Sequence, residues 1–151
     1  MLSRRKAQAY FAWLMLTDAS VLAAQIPSCP GIHVTILNIR SSIGTVDCAL
    51  FESPKGFPTD VFRSAMRLVA MKVRNAKARC DFEDVASGTY ALVVLHDENM
   101  NGRLDINWLG IPREGYGFSK DAKSPLRAPS FSEASFDYRG ETLDLAITLR
   151  Y

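Results

Sequence analysis

Tyr90-Ala-Leu-Val-Val-Leu95 is apolar at every position, between Gly88 on one side and His96-Asp97 on the other. Successive side chains of a strand point to opposite faces. A short apolar run without alternation therefore predicts a central strand covered on both sides. The rest of the chain has the period to supply that cover. Ile32, Val34 and Ile36 alternate with His33 and Thr35, and Val46, Cys48 and Leu50 share a strand face. Val69, Met71 and Val73 alternate with Ala70, Lys72 and Arg74, and Ala78-Arg-Cys-Asp-Phe82 follows the Asn75-Ala-Lys turn. Ser135-Phe-Asp-Tyr138 and the run from Leu143 to Tyr151 flank Arg139-Gly140, with Leu143, Leu145, Ile147 and Leu149 facing in. Ser41-Ser-Ile-Gly44 reads as a hairpin turn, and Thr59 as the cap of a short helix through Met66 with Val61, Phe62, Ala65 and Met66 on one face. Short strands, frequent turns and little helix predict an all-β fold, an antiparallel seven-stranded β-sandwich.

The amino terminus is set aside from that fold. Arg4-Arg5-Lys6 precede the apolar run Ala9-Tyr-Phe-Ala-Trp-Leu-Met-Leu16, which is too short to span a bilayer. Small residues around Val21-Leu22-Ala23-Ala24 complete the order of a secretory signal. Residues 1–24 are expected to be a signal peptide and 25–151 a single domain, periplasmic or secreted. An amphipathic amino-terminal helix is the alternative. Arg4, Arg5, Lys6 and Asp18 account for the whole formal charge of +2. The remainder is neutral, has no basic stripe for nucleic acid, and no other apolar run approaches the length of a transmembrane segment.

Export would place Cys29, Cys48 and Cys80 in an oxidising compartment. Cys48 and Cys80 both lie on predicted core faces, so they either bridge or remain as buried thiols. Ile26-Pro-Ser-Cys29 is a faint match to a lipid-attachment site, which Pro27 and its distance from the apolar run oppose.

From His96 to about Pro129 the pattern lapses into a long loop rich in Gly and Pro. Loops beyond roughly 15 residues without regular structure are uncommon in compact domains. At its root stands His96-Asp-Glu-Asn-Met-Asn-Gly-Arg-Leu-Asp105. Asp97, Asn99, Asn101 and Asp105 take positions one, three, five and nine of a calcium loop, and Gly102 takes the sharp turn. Arg103 would give a backbone carbonyl at position seven. Position twelve, which should be a bidentate Glu, is Trp108. Glu98 or Glu114 would have to fold back to complete the shell, and the site would be weak, roughly 0.1–1 mM as in extracellular modules. The other reading has Asp and Asn bonding their own backbone in successive turns, with no ion. His96 is expected as a hydrogen-bonded core residue, and the loop aromatics Trp108, Tyr116 and Phe118 are expected to pack the loop onto the sheets. Ser130-Phe-Ser-Glu133 is a capping-box match for one helical turn.

The loop, Leu109-Gly-Ile-Pro-Arg-Glu-Gly-Tyr-Gly-Phe-Ser119 and Pro129-Ser-Phe131 resemble the bacterial domain-of-unknown-function family numbered 2141, as do Gly88-Thr-Tyr-Ala91 and Phe51 with Gly56-Phe-Pro58. The resemblance covers nearly everything after residue 29. It implies an exported bacterial protein with a transthyretin-like, Greek-key or carboxypeptidase-regulatory-like sandwich, and supplies no activity. Three functions follow as expectations. The first is a non-catalytic module with a calcium-stabilised loop that presents a binding surface, an envelope protein or polysaccharide being the kind of partner. The second is a carboxylate- or metal-dependent hydrolase using the same loop. The third is a small-ligand carrier. No Gly-x-Ser-x-Gly elbow, zincin motif or phosphate-cradling glycine loop favours the enzyme.

Overall fold

The computed structural model describes residues 29–124 and 127–151, so the expected signal peptide lies outside the described residues. Eight strands form: β1 Gly31–Leu37, β2 Thr45–Phe51, β3 Arg67–Lys72, β4 Ala78–Glu83, β5 Gly88–Asp97, β6 Gly115–Phe118, β7 Phe136–Tyr138 and β8 Thr142–Thr148. Two single-turn helices, α1 Val61–Ser64 and α2 Phe131–Ala134, interrupt them. One sheet has the order β4-β1-β8 and the other β3-β2-β5-β6, with β7 on the first residues of β5. Among the described residues no helix is long and apolar enough to cross a membrane.

Several expectations are corrected. There are eight strands, not seven, and one pairing is parallel: β1 runs alongside β8, Val34 opposite Leu145. Alternation states which side chains share a face but not which neighbour a strand takes, so this pairing left no mark in the sequence. For the same reason Ser41–Gly44 is not a hairpin turn. β1 pairs with β4 and β8, whereas β2 pairs with β3 and β5, so residues 38–44 carry the chain between sheets. The extra strand, β6, was hidden by its glycines. A Cβ on Gly115 would lie 2.6 Å from the Tyr151 ring, and one on Gly117 would lie 2.7 Å from the Ile147 side chain. The carboxy-terminal strand thus crosses β6 so closely that no side chain fits between. Tyr116 and Arg150 exchange both backbone hydrogen bonds there, each 2.9 Å, and tie the two sheets together at that corner.

The short helix is also shorter than expected. Met66 donates its N–H to the Leu50 carbonyl at 2.8 Å, so pairing with β2 draws the chain out of helix. Phe62, expected on one face with Val61, Ala65 and Met66, is 73% exposed.

Ile32, Val34 and Ile36 of β1, Cys80 and Phe82 of β4 and Ile147 of β8 form one buried cluster with Val46, Cys48 and Leu50 of β2 and Leu92 and Val94 of β5. Both sheets contribute to it. The Cys48–Cys80 disulfide passes through this cluster and joins β2 to β4, with Cα atoms 6.5 Å apart. Cys29 is a free, exposed thiol. The opposite face of β5 is covered as its composition requires. Ala91 and Val93 pack with Tyr116 and Phe118 beneath Phe57, Phe131 and Ala134. Phe57 sits edge-on to Phe51 and Phe131, at centroid distances of 5.2 and 5.9 Å. In α2, Glu133 accepts the Ser130 N–H at 2.6 Å, the reciprocal bond of the expected capping box.

Candidate cation-binding loop

Because β5 continues through His96 and Asp97, it delivers both side chains from a fixed, two-sided strand into the loop. His96 is fully buried, and its Nε2 lies 2.8 Å from the Ile43 carbonyl. A carbonyl only accepts, so Nε2 carries the proton, and Nδ1 accepts from the Tyr151 hydroxyl at 2.8 Å. That hydroxyl in turn accepts the Arg40 N–H at 3.1 Å. Burial raises the Tyr151 phenol above its ordinary pKa, which keeps the donor protonated. Both nitrogens of His96 are thus engaged in the core, as expected for it.

Asp97 is 1% exposed. Its Oδ1 accepts the Asn101 N–H at 3.1 Å and its Oδ2 the Gly102 N–H at 2.6 Å. The chain can fold back over it because Met100 and Gly102 adopt left-handed backbone, with φ of 59° and 76°. Asn99 Oδ1 accepts the Asn101 N–H and Asn101 Oδ1 the Arg103 N–H, both at 3.0 Å. The two amide groups then converge on one carboxylate. Asn99 Nδ2 donates to Asp105 Oδ2 at 2.6 Å, and Asn101 Nδ2 to Asp105 Oδ1 at 3.0 Å. The four alternate residues picked out by spacing are therefore in one hydrogen-bonded group.

The two flanking glutamates take other positions. Glu114, 4% exposed, accepts the Glu98 N–H through Oε1 and the Asp105 N–H through Oε2, each at 3.0 Å. It clasps both ends of the loop. Glu98 turns outward, paired with the Arg40 guanidinium and accepting from Ser41 Oγ at 2.9 Å. The arginine holds its carboxyl below the ordinary range. Arg40 also stacks over the Tyr151 ring, 4.3 Å from its centroid. Among the described residues, no three His, Cys, Asp or Glu side chains gather as a metal-ligand set. The Arg103 side chain is exposed.

Arg40, Ser41 and Tyr151 were not legible as parts of this site, since nothing in a terminal tyrosine or a residue after β1 marks a partner for residue 96 or 98. Asp47 was missed too. Its Oδ1 is buried with no hydrogen-bond partner among the described residues. Burial raises this carboxyl above the ordinary range, and the charges of Asp97 and Glu114 push it the same way.

Beyond Asp105 the chain forms a small hairpin. Arg113 donates its N–H to the Asp105 carbonyl and Asn107 donates to the Ile111 carbonyl, both at 2.8 Å. Tyr116 and Phe118 pack against the outer face of β5 as expected. Trp108 does not: it is 91% exposed at the hairpin tip. The local hydrogen bonds hold this tip without needing an aromatic anchor.

A cleft of about 380 Å³ lies at the far end of β5 from this loop, between Cys29-Pro30, Glu83–Val85 and Tyr138. A family model described as an uncharacterised protein conserved in bacteria, DUF2141, matches residues 34–145. No curated protein and no solved structure matches the chain.

Proposed function

Because the chain belongs to the DUF2141 family of uncharacterised proteins conserved in bacteria, we propose its role from the site: an exported, non-catalytic β-sandwich module whose 97–105 loop takes up calcium and presents the hairpin behind it. The observation that carries this reading is the one hydrogen-bonded turn that gathers Asp97, Asn99, Asn101 and Asp105. Asp97 already caps the turn with its carboxylate, and two amide donors hold the Asp105 carboxylate where a cation would neutralise it. Rotation of the Asn99 and Asn101 amides would exchange these nitrogens for oxygens, giving up the bonds those amides accept from the Asn101 and Arg103 N–H groups. The ligands would then be those two amides, the carboxylates of Asp97 and Asp105, and the Arg103 carbonyl. The negative field of Asp47 and Glu114 adds attraction. With Glu98 and Glu114 committed elsewhere, affinity stays in the weak range of roughly 0.1–1 mM.

Export is supported by the order of basic head, apolar run and small residues in 1–24, and by a disulfide of the kind that persists in oxidising compartments. A non-catalytic role is supported by the two buried carboxylates. Asp97 and Glu114 direct their oxygens at backbone N–H groups, which leaves them poorly placed as acid or base for a hydrolase.

A metal-free loop is the second reading, and the Asn-to-Asp105 hydrogen bonds favour it. A thermal melt in chelator and in calcium separates the two. An ion that binds only the folded state adds about 2.7 kcal/mol at a hundredfold excess over its dissociation constant. That corresponds to roughly 5–11 °C for a domain of this size. No calcium-dependent shift in the unaltered protein, tested to 100 times about 0.1 mM, rejects the calcium reading.

A further inference from the structure

The hairpin from Asp105 to Arg113 exposes four large apolar side chains together: Ile106 at 59%, Trp108 at 91%, Leu109 at 60% and Ile111 at 54%. Scattered apolar residues on a surface need no explanation, but a contiguous group on a protruding turn marks a contact site. Its hydrogen bonding indicates what kind. Asn107 Oδ1 accepts the N–H groups of Leu109 and Ile111, both at 2.9 Å. The Asn107 N–H reaches the Ile111 carbonyl at 2.8 Å and the Gly110 N–H the Asn107 carbonyl at 2.9 Å, while Pro112 has no N–H to satisfy. Four of the six backbone N–H groups from Ile106 to Ile111 are thus satisfied within the tip, those of Asn107, Leu109, Gly110 and Ile111. Each donor satisfied internally lowers the penalty for leaving water, a penalty that hydrocarbon exacts more fully than a protein pocket with donors and acceptors of its own.

The carboxylates at the base are hydrogen-bonded or paired with Arg40, and the two exposed guanidinium groups beside them fit the same medium. Arg103 and Arg113 flank the hairpin, both exposed, and neither guanidinium has a partner among the described residues. Long basic side chains at the edge of an apolar insertion reach back to headgroups, and tryptophan favours the same interfacial depth. We propose that this hairpin is a membrane-contact tip, which inserts Trp108 and Leu109 into the interface of an anionic lipid surface while Arg103 and Arg113 pair with headgroup phosphates. The proposal stands on the hairpin alone and does not require calcium in the adjoining loop.

The test uses the full chain with Trp13→Phe, which leaves Trp108 as the sole tryptophan. It is run in chelator, so that failure of the calcium reading cannot be mistaken for failure of this one. Vesicles of mixed phosphatidylglycerol and phosphatidylcholine should shift the Trp108 emission to the blue, and lipids brominated near the headgroup should quench it. Arg103→Ser and Arg113→Ser should each weaken vesicle affinity by about fivefold. Leu109→Asp should abolish the emission shift. Reading Trp108 itself separates insertion of the tip from any attachment through the apolar residues 9–16. Emission unchanged on cosedimenting vesicles overturns the proposal and leaves a protein pocket as the partner of the tip. An equal shift on pure phosphatidylcholine overturns the selection for anionic lipid.

Discussion

Asp97→Ala is the most direct perturbation of the loop, and its cost can be worked from the structure. The carboxylate is 1% exposed and accepts from Asn101 and Gly102 at 3.1 and 2.6 Å. A hydrogen bond to a charged group contributes about 1.5–3 kcal/mol, and donors left buried without a partner add to the loss. Two such bonds are not fully additive, so the expected loss is about 3–5 kcal/mol, against a total stability of about 5–15 kcal/mol for a domain. Asp97→Asn retains one acceptor oxygen and should lose roughly half as much. Urea denaturation in chelator, followed by far-ultraviolet circular dichroism, measures both. In chelator the loss arises whether or not the loop can hold an ion, and repeating the series in calcium isolates the contribution of binding. A loss below about 1 kcal/mol for Asp97→Ala at unchanged m-value would show that these two bonds do not hold the loop, and the account of how β5 organises it would fail.

Three further outcomes are expected. Reduction of the Cys48–Cys80 bridge, with its sequence separation of 32, should cost about 3–4 kcal/mol through the freed unfolded chain, and urea midpoints unmoved by reductant would contradict this. Gly115→Ala drives a Cβ to 2.6 Å from the Tyr151 ring and should cost about 1–3 kcal/mol; the penalty should vanish in a Tyr151→Ala background, and additive losses would mean the ring is not the obstacle. The Glu98 carboxyl is held below its ordinary value of 4.5 by Arg40. Its contribution is therefore complete above that value and lost as pH falls through the lowered pKa, so the stability gap to Arg40→Met should narrow steadily in acid. A gap that stays constant from neutral pH down to acid would place the arginine's effect elsewhere.

The sequence was most informative where a residue's neighbours along the chain decide its environment. Seven of the eight strands were legible, six from short alternating or turn-bounded runs and the seventh from the all-apolar Tyr90–Leu95 run, which announced cover on both of its faces. Asp97, Asn99, Asn101 and Asp105 lie within nine residues, so their spacing alone could suggest that they converge. The capping box at Ser130 is legible for the same reason.

What required the tertiary structure was every relation between residues distant in sequence. The parallel partner of β1 is a strand more than a hundred residues away, and the glycines of β6 make sense only once Tyr151 and Ile147 are seen to lie against them. Glu98 and Glu114 were equal candidates for one shell until folding placed Arg40 beside the first and two loop N–H groups over the second. Trp108 was expected to pack the loop onto the sheets, but local hydrogen bonds build a tip that leaves it in solvent. Alternation and turn chemistry act over a few residues, so they can be read along the chain. Which carboxylate meets which donor depends on how the two sheets close on each other, and that only the assembled fold decides.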